Sequence, residues 1–292
     1  MPSERVFAPG RVNLIGDHTD HAGGLALPMA IDLGTTIRFV RGGERIELTS
    51  DVEPVRAVVP LTVTDPATMA PDWARYVAGV VAELRPSVGL RGAVTTNLPV
   101  GGGLSSSAAL EVAVALALGG GARDPLALAR LCQRAEHRGA GVPCGLMDQI
   151  TCVAAVEGHA LFVDFLAETW WPVPVPESLA VHVVHSGVHR RLDTSSYADR
   201  RRECELAASE IGPLRAAGVD DLGKIRDPVA RRRARHVVTE NARVRAMIHA
   251  LRTNDMETAG ALLRHSHRSL RDDFEVSVPA LDELVEQLSA TP

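Results

Sequence analysis

The apolar positions of the chain switch between two periods. Segments of strand character fall at 36–40, 45–48, 93–96, 160–165 and 180–185. Helical spacing marks 73–84, 105–118, 125–138, 195–211, 228–253, 256–269 and 279–288. Strands dominate early and long helices late, an order that predicts an α+β chain rather than a doubly wound sheet. No repeat or low-complexity tract interrupts it. The proline-rich stretch 171–177, WPVPVPE, cannot be crossed by a helix and reads as a linker. That places the domain boundary near residue 175, giving domains 1–175 and 176–292. Gly42–Gly43, the run 97–103 and Gly119–Gly121 read as turns or loops.

Composition narrows the picture. At 292 residues the chain has room for two domains. The longest apolar run, 112–118, is far too short to span a bilayer, and the N-terminal MPSERVFAPGRVN lacks a signal-type apolar core. A net charge of −5 argues against a nucleic-acid or anionic-membrane surface. The four cysteines show no C-x-x-C spacing and suggest neither a disulfide framework nor a zinc knuckle. These features lead us to expect a cytoplasmic protein. With aromatics at 3%, the core must be built from Ala, Val and Leu. Lys224 is the single lysine, which excludes phosphate loops that need a lysine early in the chain.

Three segments carry chemistry. Leu98 to Leu118, LPVGGGLSSSAALEVAVALAL, joins three glycines to three serines at the start of an Ala/Val-rich helix. Glycines let backbone amides approach an anion, and a helix N-terminus is electropositive, so the segment reads as a phosphate site. One serine would suffice for a simple N-cap, and three glycines exceed what a turn requires. Ala8 to Asp32 packs Arg11, Asp17, His18, Asp20 and His21 into one stretch between apolar runs, a set suited to hydrogen-bonding several hydroxyls. A metal reading is weaker, because no further Cys/His cluster completes a coordination sphere. In Ala135 to Ala155, Asp148 follows Gly145, Leu146 and Met147, neighbours able to desolvate a carboxylate and fix it against a hydroxyl. Glu136, closing the preceding helix, could reach a cation. Either acid alone is more often a surface or cap residue.

Together these segments resemble the signatures of the GHMP small-molecule kinases and, within them, the galactokinases. GRVNLIGDHTD with its following GG and LPMAI is similar to the galactokinase signature, PVGGGLSSSAALEVA to the phosphate loop, and GVPCGLMDQ to the segment bearing the catalytic aspartate. The likeness continues through HSGVHRRLDTSSYADRRRECE and SHRSLRDDFEVSVPALDELV, covering nearly the whole chain. It implies a two-domain fold, with a ribosomal-protein-like N-terminal domain and a ferredoxin-like C-terminal domain. It also implies ATP-dependent phosphorylation of galactose, or a galacto-configured sugar, at the anomeric (C1) hydroxyl. In that reading Asp148 and Arg11 are catalytic. Arg11, Asp17, His18, Asp20, Gly145, Asp148 and Tyr197 bind the sugar. Gly101, Gly102, Gly103, Leu104, Ser105, Ser106 and Ser107 hold the nucleotide, with Trp73 on its adenine side unless that indole belongs to the core. Ser107 and Glu136 ligate Mg²⁺. Phosphoryl transfer asks mainly for positioning and electrostatics, which a helix dipole, Mg²⁺ and Arg11 can supply without a lysine.

Departures from the family pattern shape the expectations. Galactokinases usually carry Glu where this chain has Asp17, and often Tyr where it has His21. A third glycine-rich motif is expected where this chain reaches Ala290-Thr291-Pro292, so the C-terminal domain is expected to be truncated, lacking its last elements. Two further readings follow: an anomeric kinase for a C6-modified or longer-chain aldose, and a non-catalytic sugar and ATP sensor. Sensors of that kind have a damaged phosphate loop, whereas GGGLSSSAA is intact here.

Overall fold

The computed structural model of the chain describes residues 3–187 and 194–290. The chain forms two compact units, and it passes between them three times. One unit comprises Met1–Val12 with Ala30–Ala155, the other Asn13–Met29 with Val156–Pro292.

The first unit is built on a five-stranded sheet of β1 (Glu4–Asn13), β3 (Pro28–Arg41), β4 (Arg45–Ser50), β5 (Ala57–Pro60) and β6 (Leu90–Thr96), in the order β1-β3-β6-β4-β5. β3 pairs with β6 and β4 with β5 antiparallel, and β4 runs parallel to β6. Its helices are α1 (Ala74–Leu84), α2 (Ser106–Ala117), α3 (Pro125–Gly139) and α4 (Met147–Ala154). Their buried residues meet the sheet in a core mainly of Ala, Val, Ile and Leu, with Phe39 and Trp73 the aromatic members. β1 escapes the strand pattern because Pro9 and Gly10 interrupt it; as an edge strand it tolerates the lost amide. α3 starts cleanly, with Asp124 accepting from the Ala127 amide and Pro125 in the first turn.

The second unit holds a three-stranded sheet of β2 (Leu25–Ala26), β7 (His159–Asp164) and β8 (Thr169–Pro174), together with α5 (Thr194–Ile211), α6 (Pro228–Thr253), α7 (Met256–Asp272) and α8 (Pro279–Ser289). The α+β expectation holds in both units. The units divide differently from the expected boundary near 175, at 12/13, 29/30 and 155/156, and the proline-rich stretch is largely strand β8. Pro172 and Pro174 share one parity on this edge strand, so the missing amides point away from β7 while Val173 is fully buried. The strand expected at 180–185 is also absent, and Val181, Val183 and Val184 are exposed without regular pairing. Among the described residues no helix is long and apolar enough to cross a membrane.

Candidate active site

In the first unit the site grows from Asp148, an acid in the first turn of α4, where the helix dipole favours a negative charge. Arg11, on β1, donates to Asp148 Oδ1 from Nε at 2.8 Å and from Nη2 at 2.6 Å. Arg11 Nη1 donates to the Gly103 carbonyl at 2.7 Å, and the Arg11 amide to the Leu104 carbonyl at 3.2 Å. Ser105 Oγ donates to Asp148 Oδ2 at 2.5 Å. The Asp148 side chain keeps 28% of its surface exposed and that of Arg11 14%, so a carboxylate held by three donors still faces solvent. The desolvated carboxylate expected from its apolar neighbours is therefore a half-open one.

The glycine-serine segment explains why Ser105 is available. Gly101 and Gly103 take left-handed backbone at φ of 74° and 77°, which side chains other than glycine rarely adopt. Ser105 itself has φ of 59°, and its hydroxyl makes no cap to α2. It is committed to Asp148, so the simple N-cap reading does not hold for it. The first amides of α2 are then left to an outside acceptor at the positive end of the helix. Gly102 and Leu104 belong to the same turn, and Ser106 and Ser107 open the helix.

Behind this loop sits a buried acidic pair that sequence reasoning found only in part. Glu136, on α3, is 7% exposed and accepts from Gln149 Nε2 at 2.7 Å, from Cys144 Sγ at 3.3 Å and from the Ser107 hydroxyl. Glu111, on α2, is fully buried; Gln149 Nε2 lies 3.5 Å from its Oε2, and its Oε1 has no partner. Burial first, and then the charge of Glu136, raise Glu111 well above the usual carboxylate range. Glu136 is raised by burial and next by Asp148. Burial and the same acids push Tyr76 up to about 12. Ser107 with Glu136 offers one hydroxyl and one carboxylate to a cation, and an orphaned acid oxygen stands behind them. Among the described residues no group of three His, Cys, Asp or Glu side chains is placed to hold a metal. Such a donor set fits Mg²⁺, which takes few protein ligands and completes its shell with phosphate oxygens and water. It does not fit a closed zinc cage.

The second unit carries the acid- and imidazole-rich stretch. Asp17, His18 and Asp20 are half-buried. His18 adopts φ of 58°, and its ring stacks on Phe274 at 5.0 Å and 28° and lies 6.0 Å from Tyr197 of α5. His21 meets Tyr197 edge-on at 5.5 Å and 78°. Both ring nitrogens of His21 are buried without a partner, and burial lowers its pKa to about 4, so the ring is neutral. Asp20 Oδ1 accepts from the His21 amide at 2.9 Å.

The sequence-derived residues thus gather in two clusters, one in each unit. Arg11, Gly103, Ser105, Ser107, Glu136 and Asp148 meet in the first, and Gly145 lies in the turn that leads into α4. Asp17, His18, Asp20 and Tyr197 meet in the second. Trp73, read as either an adenine-side or a core indole, is 8% exposed in the first unit's core, with its indole N–H donated to the Val55 carbonyl at 2.9 Å. Phe274, Gln149 and Glu111 were not singled out. Each lies inside a recognised motif, but nothing in its residue type advertises the contact it makes.

This architecture is that of the GHMP kinases: residues 75–155 match the GHMP kinases N terminal domain, and residues 2–39 the galactokinase galactose-binding signature. A mevalonate kinase from Methanococcus jannaschii shares the fold at a TM-score of 0.62 and 18% identity, over 98% of this chain and 83% of that one. The galactokinase of Lactococcus lactis, solved in complex with galactose, superposes at a TM-score of 0.90 with 28% identity over 99% of this chain and 80% of that one. The human galactokinase is 43% identical over all of this chain and 79% of its own length. That of Haemophilus influenzae strain PittGG is 38% identical over 98% and 79%. The chain belongs to the galactokinase family.

Proposed function

We propose that this protein transfers the γ-phosphoryl group of ATP to the anomeric hydroxyl of galactose. The observation that carries the reading is Asp148, held through both carboxylate oxygens by Arg11 and Ser105 while Arg11 also grips the Gly103 carbonyl of the phosphate loop. Gly101, Gly102, Gly103, Leu104, Ser105 and Ser106 offer backbone amides to the phosphates, and the Ser106 hydroxyl joins them. Ser107 and Glu136 would hold Mg²⁺, which when bound would neutralise phosphate charge. Asp17, His18, Asp20, Gly145 and Tyr197 hydrogen-bond the sugar.

Asp148 fixes the direction of the C1 hydroxyl. The C1 oxygen bonds to the γ-phosphorus as the bridging bond to the β-phosphate breaks, and the hydroxyl proton passes to Asp148. In a loose transition state little charge develops on the attacking oxygen, so the proton moves late and positioning does most of the catalysis. Arg11 keeps the carboxylate aimed and adds positive charge where the phosphoryl group crosses.

Purified protein with ATP, Mg²⁺ and galactose should release ADP in step with sugar phosphate. ADP release that ignores galactose, or binding of both ligands without turnover, contradicts the proposal; the second result is the behaviour of a sensor. One departure favours a variant of the same reading. Asp17 is shorter than the family's usual Glu by about 1.5 Å, and the neighbouring His21 is neutral. A C6-substituted galacto-sugar would then compete with galactose, and Asp17→Glu should shift the kcat/KM ratio back toward galactose. An unchanged ratio removes the variant.

A further inference from the structure

The acid- and imidazole-rich loop does not hold itself in place. One face of α6 carries Arg233, His236 and Glu240, spaced three and four residues apart, with Asn241 beside them. All four side chains are buried polar groups. Three reach the backbone of the loop. His236 Nε2 donates to the Asp17 carbonyl at 2.9 Å, Glu240 Oε1 accepts from the Gly16 amide at 2.9 Å, and Asn241 Oδ1 accepts from the Leu25 amide at 2.8 Å. The fourth, Arg233, donates to Glu203, to Glu275 and to the Asp273 carbonyl at 2.6–2.7 Å, fixing the residues on both sides of Phe274.

His236 joins the two halves of this arrangement. Its Nδ1 lies 3.0 Å from Ser269 Oγ of α7, and its ring packs 4.8 Å from Phe274, the ring on which His18 stacks. A fully buried imidazole that grips a main-chain carbonyl on one edge and an aromatic support on its face has no packing need for that polarity. A leucine would fill the space. The hydrogen bonds fix the Asp17–His18 peptide, and with it the directions of two adjacent side chains, His18 being held at a positive φ.

We propose that His236 is a positioning residue for the sugar, acting through the Asp17 carbonyl and the Phe274–His18 stack without touching the ligand. The inference rests on the reading that Asp17 and His18 bind the sugar. Its reach is specific: losing the bond to Asp17 should weaken sugar binding and leave the nucleotide alone, because His236 bonds to Asp17 and Ser269, whereas the phosphate loop is tied to Arg11 and Asp148.

An amide pair separates the two edges of the ring. Gln at 236 can place its amide where Nε2 stands and keep the bond to Asp17, whereas Asn reaches only the Nδ1 position. H236N should raise the galactose KM about tenfold, the equivalent of roughly 1.4 kcal/mol, with ATP KM within twofold of wild type. H236Q should stay within about threefold for both. Equal galactose KM in the two variants and wild type, or a parallel rise in both substrates' KM, overturns the proposal. Should H236N fail to fold, S269A loosens the same ring and should raise galactose KM about threefold; no change there overturns it equally. D17N serves as the control. If D17N and H236N both leave galactose KM intact, the sugar-loop reading falls and takes this inference with it. If D17N moves it and H236N does not, only the inference falls.

Discussion

The phosphate loop of the first unit and the polyol loop of the second are both short, polar and glycine-containing, yet they are held in opposite ways. The first is shaped locally. Left-handed glycines set its path, a serine turns its hydroxyl away from its own helix, and Arg11 ties the result to Asp148. The second has its backbone groups bonded to a helix more than 200 residues further along the chain, as the 219-residue separation of Asp17 and His236 shows. A loop that must cradle phosphates can be built from backbone conformation, since amides are its ligands. A loop that must aim particular side chains at particular hydroxyls needs its peptide planes fixed from outside.

The largest effect should come from the first region. Asp148→Asn keeps the shape and most of the hydrogen bonds but cannot take a proton, so kcat should fall about 10²–10⁴-fold while ATP and galactose still bind. Near-normal kcat would show that the carboxylate only spaces Arg11 and Ser105.

The next effect belongs to the second region and is read as stability. His21 is held neutral when folded, with a pKa near 4, against 6.5 when free. The unfolded chain therefore takes up a proton more readily as pH falls from 6.5 to 4, and folding stability drops across that window by roughly 3 kcal/mol, staying flat above it. His236, lowered by burial, contributes in the same direction. Urea unfolding between pH 4 and 7 should show a shallower slope for His21→Tyr than for wild type. An identical slope would mean that His21 is charged or solvated in the folded protein.

A smaller effect tests local shaping. Gly103→Ala forces a side chain into left-handed backbone at about 1–2 kcal/mol, although an added Cβ would meet nothing within 4 Å. ATP KM should rise roughly 5- to 30-fold with galactose KM unchanged. A matching rise in galactose KM would erase the distinction between the regions.

The same contrast decides how much could be read from the sequence. Seven long helices were legible because their apolar spacing is their packing, and the phosphate loop because its chemistry is contiguous. Glu136 stood out in the sequence as a candidate acid, and the structure buries it beside Ser107, but Glu111 did not: an acid inside an Ala/Val helix looks like a surface residue until both helices are in place. The short α4 and the proline-bearing strands β1 and β8 carry too little pattern to stand out. His236, Asn241 and Phe274 were illegible for a different reason. A buried polar residue of a helix, or an aromatic just past one, announces neither its partner nor the direction it faces, and here each partner lies near the start of the chain, at Asp17, His18 or Leu25.

The most direct measurement is ¹³C and ³¹P NMR of the product formed from [1-¹³C]galactose and ATP, for wild type and Asp148→Asn side by side. The expected result is a C1 resonance split by phosphorus, accumulating with wild type and slowed at least a hundredfold in the variant. Phosphorus coupled to a different carbon, or equal rates for the two proteins, would contradict the assignment of Asp148 to the anomeric hydroxyl.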